Sequence, residues 1–323
     1  MRRQAWVLIA AIALVVGIVS IALLADPREA QNPDTPVTGK IIFAAGGPGM
    51  VRVSGDTFLP SGLHLVELSL PDGRKRDLTS GPGFDSDPAV SPDGEYVVFS
   101  RTATDRDSLD PRLYLFERDS GTTTPLSTCD PCGPQGSATW RPDAGAVAFV
   151  GSSGMSIVEV ADREMRPLPL PRNLTAITHP SWSPDGQQLA FAALSPPAGG
   201  SRIYVLDLRT EQVRPVTSCP EGCAAHLDPS WSPSGDEIAF TLVREPGETG
   251  SVAVVSSDGK GMRVLDTCGG PPCRHEHAPS WSPDGKALVF VRDDDLFLFD
   301  MAAVTTRRLT DTDSLECCPS WAP

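Results

Sequence analysis

Asp87, His179, Asp228 and Cys318 each stand three residues before a tryptophan or its equivalent, and Ser137 and Ala278 hold the same place in two further copies of one repeated phrase. If the strands carrying these positions surround a common axis, the six residues meet at the mouth of a central channel. Two carboxylates, an imidazole and a thiol could then hold a cation or a polar ligand, since these are side chains that metals take. Ser137 adds a hydroxyl, and the identity of any metal stays open. A structural reading competes. Proline follows this position in five of the six copies, and Asp-Pro starts turns.

The eight cysteines fall as four local pairs: Cys129/Cys132, Cys219/Cys223, Cys268/Cys273 and Cys317/Cys318. The first three occupy one place in the repeat, just before the next tryptophan strand. An even number of regularly placed cysteines in an exported chain reads as disulfides. Each ring is tiny, so its entropic contribution falls below the roughly 3 kcal/mol of a 15-residue loop, and pinning loop shape is the expected role. Two chemical readings compete with that one. Cys129-Asp-Pro-Cys132 has redox spacing but lacks the helix N-terminus that lowers a thiol pKa, and zinc would need pairs from different repeats to converge. Cys317/Cys318 is the outlier, because a bridge between neighbours strains its peptide; free thiols or a link to another repeat are the alternatives.

Other chemical lures are weaker. His275-Glu-His277 lacks zincin spacing and reads as solvated loop. Asp293-Asp-Asp295 reads as a charged turn. Asn173-Leu-Thr175 fits a glycosylation acceptor. No Gly-x-Ser-x-Gly nucleophile elbow is present, and no motif requires a cofactor.

The elements that must position these residues come from the repeat itself. Trp182-Ser-Pro-Asp-Gly, Trp231-Ser-Pro-Ser-Gly and Trp281-Ser-Pro-Asp-Gly are near copies; Val90-Ser-Pro-Asp-Gly and Trp140-Arg-Pro-Asp-Ala are degenerate ones. Their period of roughly 40–50 residues is that of a propeller blade. In each unit a short tryptophan strand enters an Asp-Gly hairpin. A continuously apolar strand follows, as at Leu189-Ala-Phe191 or Leu288-Val-Phe290, and its pattern demands burial on both faces. A third strand such as Ile203-Tyr-Val-Leu-Asp207 and a short fourth such as Arg214-Pro-Val-Thr217 complete a four-stranded blade. The repeat-locked tryptophans Trp140, Trp182, Trp231, Trp281 and Trp321 read as core.

The chain ends set the blade count. Gly39-Lys-Ile-Ile-Phe43 matches a second strand with no tryptophan strand before it, and Pro319-Ser-Trp-Ala-Pro323 is a first strand with nothing after it. Joined, they make a sixth blade, with outer strands at Ile41–Phe43, His64–Leu68 and Arg76–Thr79, and leave no open sheet edge.

The pattern Trp-Ser-Pro-Asp-Gly-x-x-(Ile/Leu)-Ala-Phe, followed by Ile-Tyr-x-x-Asp and Leu-Thr, resembles the WD-like repeat of the TolB C-terminal propeller over residues 39–323. The resemblance implies a fold more than a function, because similar blades occur in peptidase propellers and other exported proteins. Residues 1–38 stand where TolB has an α/β domain. TolB's role in outer-membrane maintenance and its peptidoglycan-associated lipoprotein partner are therefore not expected to carry over.

Arg2 and Arg3 precede an apolar run from Ala5 to Ala25, and Asp26-Pro-Arg-Glu29 follows at once. At 1.5 Å per residue the run spans about 31 Å, enough to cross a bilayer, and its basic flank keeps the N-terminus in the cytoplasm. A cleaved signal peptide ending near Ser20-Ile-Ala22 is the competing reading; both export the rest. The expected organisation is an anchor at 1–25, a tether at 26–38 and a propeller at 39–323. With 27 basic against 41 acidic residues, the net charge of −14 repels phosphate backbones and argues against nucleic acid.

The sequence thus reads as all-β: a six-bladed propeller closed by its C-terminal strand, preceded by one transmembrane helix. It would sit at the cell membrane, monomeric, with the propeller outside the cytoplasm, in the periplasm or at the cell surface, or secreted if the N-terminal segment is cleaved. Recognition of an envelope protein or a peptide through the disulfide-pinned loop face is the expected function. The alternatives are a metal-dependent hydrolase or lyase at the channel mouth and a ligand-sensing ectodomain.

Overall fold

An unbroken apolar strand needs cover on both faces, and the computed structural model supplies it by setting four-stranded sheets side by side. It describes residues 37–47, 50–54, 57–60, 62–81, 83–103, 110–127, 133–196, 200–218, 224–245, 250–269 and 275–323. The expected membrane helix and most of the tether lie outside these residues, as do Cys129, Cys132, Cys219, Cys223 and Cys273.

The chain opens with β1 (Gly39–Gly46), a hairpin of β2 (Met50–Ser54) and β3 (Thr57–Pro60), then β4 (His64–Leu70) and β5 (Lys75–Asp77). Four regular units follow: β6 (Gly83–Val90) to β7 (Tyr96–Ala103), β8 (Arg112–Glu117) and β9 (Thr123–Pro125); β10 (Gln135–Trp140), β11 (Ala146–Gly151), β12 (Gly154–Glu159) and β13 (Met165–Pro167); β14 (Thr175–Trp182), β15 (Gln188–Leu194), β16 (Ser201–Asp207) and β17 (Gln212–Pro215); β18 (Ala225–Trp231), β19 (Glu237–Val243), β20 (Ser251–Ser256) and β21 (Arg263–Val264). The last is β22 (Glu276–Trp281), β23 (Ala287–Arg292), β24 (Asp295–Asp300) and β25 (Thr305–Arg308), and β26 (Leu315–Ala322) ends the chain.

Within each unit the strands pair antiparallel in chain order, and one parallel contact, Ser201 with Ala225, links two neighbouring units. β26 does not start a new sheet. It pairs antiparallel with β1, placing Trp321 opposite Ile41 and Ser320 opposite Ile42, so the first sheet runs β26-β1-β4-β5. Among the described residues this makes six four-stranded units, with the β2–β3 hairpin as an insertion the repeat pattern does not anticipate.

The core lies between units. Among the described residues six apolar clusters each combine two successive units, and one of them joins the last to the first through Ala287, Val289, Ile41, Phe43 and Trp321. Alternate residues of a second strand serve opposite clusters: Ile41 and Phe43 face one neighbour, Ile42 and Ala44 the other. That is why the strand is apolar at every position. The five repeat tryptophans are buried, and two reach across to the preceding unit. Trp140 Nε1 donates to Ala89 O at 2.9 Å and Trp321 Nε1 to Ser280 O at 3.2 Å.

The repeated Ser-Pro-Asp-Gly phrase is a self-bonded turn. In the copy at Ser91, the serine Oγ donates to Asp93 Oδ1 and accepts from Tyr96 N, while Gly94 takes the left-handed φ of 74° that closes the hairpin. The first-to-second connections at this end keep one length, 91–95, 141–145, 183–187, 232–236 and 282–286, and the third-to-fourth connections beside them run only from four to six residues, as at 301–304 and 257–262. Connections at the opposite end vary, from 293–294 and 152–153 to 244–250 and 104–111 between second and third strands, and from 78–82 to 265–275 between units.

Candidate functional site

The tryptophan strands line the propeller axis, and each breaks its ladder at the same point. Register skips between Ser86 and Ala89, Gly136 and Thr139, Thr178 and Ser181, Leu227 and Ser230, and His277 and Ser280, and the β1–β26 ladder slips beside Cys318. The first unpaired residue of every bulge has positive φ: Asp87 at 50°, Ser137 at 49°, His179 at 47°, Asp228 at 50°, Ala278 at 51° and Cys318 at 59°. Left-handed backbone is uncommon for residues other than glycine, and Asp tolerates it best here. Proline, which cannot donate to a ladder, suits the next position. The turn-starter reading of Asp-Pro thus becomes a bulge in the middle of an inner strand.

All six bulge residues line a single cavity of about 180 Å³, together with Pro88 after Asp87 and the two residues that follow each of the other five. The six residues that the repeat aligns thus meet around one space on the propeller axis. His179 Nδ1 lies 3.1 Å from Asp228 Oδ1 without the alignment of a hydrogen bond. Asp228 Oδ2 accepts from Thr241 Oγ1 at 2.8 Å and from Ala278 N at 3.3 Å. Asp87 Oδ2 accepts from Ser86 Oγ at 3.2 Å. Cys318 Sγ donates to Cys317 Sγ at 2.7 Å. That bond, burial and the Asp87 carboxylate push the Cys318 thiol well above the usual thiol range.

Among the described residues no three His, Cys, Asp or Glu side chains converge closely enough to hold a metal ion. The arrangement is one for polar contacts: carboxylates, an imidazole, a thiol and hydroxyls facing a small space. Ser181 and Ser320 also tie the wall together, since Ser181 Oγ accepts from Trp231 N and Ser320 Oγ from Val90 N of the following units.

Cys317 and Cys318 are free thiols, one of the alternatives that their adjacency left open. Adjacent strand residues normally point to opposite faces, and a bridge between them would strain the peptide, although here the bulge brings the sulfurs together. Cys268 is disulfide-bonded, while its expected partner Cys273 lies outside the described residues.

A second polar ring, behind the first, escaped sequence reading. Two residues before the bulge stand Asp85, Gln135, His226, Glu276 and Glu316, all buried. Four of these meet a hydroxyl from the end of the preceding unit: Ser127 Oγ donates to Gln135, Thr267 Oγ1 to Glu276 and Thr310 Oγ1 to Glu316, and Thr217 Oγ1 lies 2.7 Å from His226 Nδ1. Arg101 clamps Asp85 at 2.6 and 2.8 Å, and Arg292 holds Glu276. The threonine of the Leu-Thr phrase, followed six to nine positions later by a polar residue, is the signal that could have found it. His275-Glu-His277 is accordingly no solvated loop, for Glu276 is fully buried. Asp295 likewise leaves its charged turn to pair with Arg308.

The fold and its axial cavity define an all-β propeller, and solved structures place the variety. TolB from Acinetobacter baumannii superposes with a TM-score of 0.69 at 19% identity, over 88% of this chain and 67% of that one. A putative TolB from Agrobacterium tumefaciens gives 0.62 at 17%, over 89% and 99%. A chain of a nidogen/laminin complex gives 0.64 at 10%, over 88% and 99%. No family model and no curated protein matches the sequence. The chain folds as a TolB-like β-propeller.

Proposed function

We propose that the protein is a membrane-tethered, extracytoplasmic binding module that recognises an envelope protein or a peptide through its disulfide-pinned loop face. The reading includes a six-bladed propeller closed by its C-terminal strand behind a single N-terminal membrane helix. One observation carries it: connections at the hairpin end stay between four and six residues, whereas those at the other end, the β2–β3 insertion aside, run from two residues at 293–294 to eleven at 265–275. Variable loops on a rigid scaffold are where recognition surfaces are built. A propeller of the same shape in the nidogen/laminin complex supports the class.

A channel enzyme is the second reading, favoured by the meeting of Asp87, His179 and Asp228 at one cavity. Crosslinking in native membranes with mass spectrometry identifies the partner, and the combined variant Asp87→Asn, His179→Gln, Asp228→Asn separates the readings. A loop-face binder keeps its crosslinked partner in that variant. Loss of the partner from a normally folded variant would overturn the proposal in favour of the channel.

A further inference from the structure

The closing strand β26 brings two free thiols into contact at its bulge. In a regular strand consecutive side chains diverge. With Cys318 at a φ of 59° its side chain swings toward that of Cys317, and the sulfurs lie 2.7 Å apart. The same bulge in β6 lets neighbouring side chains bond, Ser86 Oγ to Asp87 Oδ2 at 3.2 Å, so the contact follows from the backbone. Cys318 lines the axial cavity, and Cys317 is half-buried beside it.

The geometry points to Cys317 and Cys318 as a redox-active dithiol site in the channel wall, oxidised to a bridge between neighbours by a low-molecular-weight disulfide. Cys318 S–H is engaged with the Cys317 sulfur, and that bond, burial and the Asp87 carboxylate keep the Cys318 thiol protonated. Cys317 therefore makes the first attack. Its attack breaks the reagent's S–S bond, forms a mixed disulfide on Cys317 and expels one thiolate, which takes the Cys317 proton. Cys318 then attacks the Cys317 sulfur, closing the bridge and releasing the second reagent thiol, which carries off the Cys318 proton. Two protein thiols and one reagent disulfide become one protein disulfide and two reagent thiols. Neighbouring Cα atoms are about 3.8 Å apart, below the usual disulfide range of roughly 4.4–6.8 Å, so the bridge is strained and readily reduced. It is a reversible site and not a staple.

Trypsin cleavage after Arg308 isolates residues 309–323, which contain these two cysteines and no others. The full chain in its membrane is reduced, exposed to oxidised glutathione, alkylated, denatured and digested. The expected product is this peptide with an internal bridge and no alkyl group. A doubly alkylated peptide, a persistent glutathione adduct, or a link to another cysteine peptide overturns the proposal. In the Cys318→Ser variant glutathione should remain on Cys317, and in Cys317→Ser adduct formation at Cys318 should slow by about tenfold or more. The reverse order contradicts the assigned roles. If either variant fails to fold, the wild-type peptide still decides the bridge.

Discussion

His226 shows how much a single buried residue of the second ring controls. Its ring packs 5.1 Å from Phe240 and meets Thr217 Oγ1, and burial, with Arg202 adding, pushes its pKa down to about 4. Because the folded value lies below the ordinary one near 6.5, the unfolded chain binds the proton first. The stability His226 contributes is full above pH ~6.5 and falls as pH drops toward 4, by about 3 kcal/mol at most. Burial also lowers His277, with Asp228 and Asp294 pulling the other way, so the melting temperature should decline through this window. His226→Gln copies the Gln135 that holds this place in another unit and keeps a partner for Thr217. It should flatten most of that decline; a variant with the wild-type pH slope would refute the assignment. Residues of the first ring were legible from their fixed distance to the tryptophan. Those of the second were not, because their residue types differ from unit to unit, and the threonine or serine six to nine positions earlier marks them only once the fold brings the two together.

At the scale of elements, β26 carries the closure. It pairs with β1, buries Trp321 against the neighbouring unit, and accepts Val90 N at Ser320 Oγ. Removing residues 319–323 deletes that tryptophan and exposes the edge of β1. Loss of a buried tryptophan alone costs about 3–5 kcal/mol, so the melting temperature should fall sharply, by well over 10 °C if the chain folds. An unchanged melting temperature would sink the closure. The strand order was readable because turn chemistry and apolar runs are local. The bulges were not, since the proline that marks them also marks a plain turn, and only the crowded axis decides between the two. The β2–β3 hairpin lay outside the repeat and had no template.

For the whole molecule, one repeat builds three different things. Its hairpins make an end of nearly uniform length, its second strands make six inter-unit cores among the described residues, and its crossings make the end where length varies widely. The fold was legible because period, turn and burial agree at every level. Function was less so, since the proposed recognition face is built from the segments that depart from the repeat. The central claim is that the variable face does the binding. A photo-crosslinking residue placed in turn at exposed Asp110, Pro196 and Glu245 on that face, and at exposed Glu95, Gln187 and Asp236 on the hairpin face, tests it in native membranes. One partner captured from the first set and absent from the second is the expected result. Capture of that partner from the hairpin positions, or equally from both sets, would contradict it.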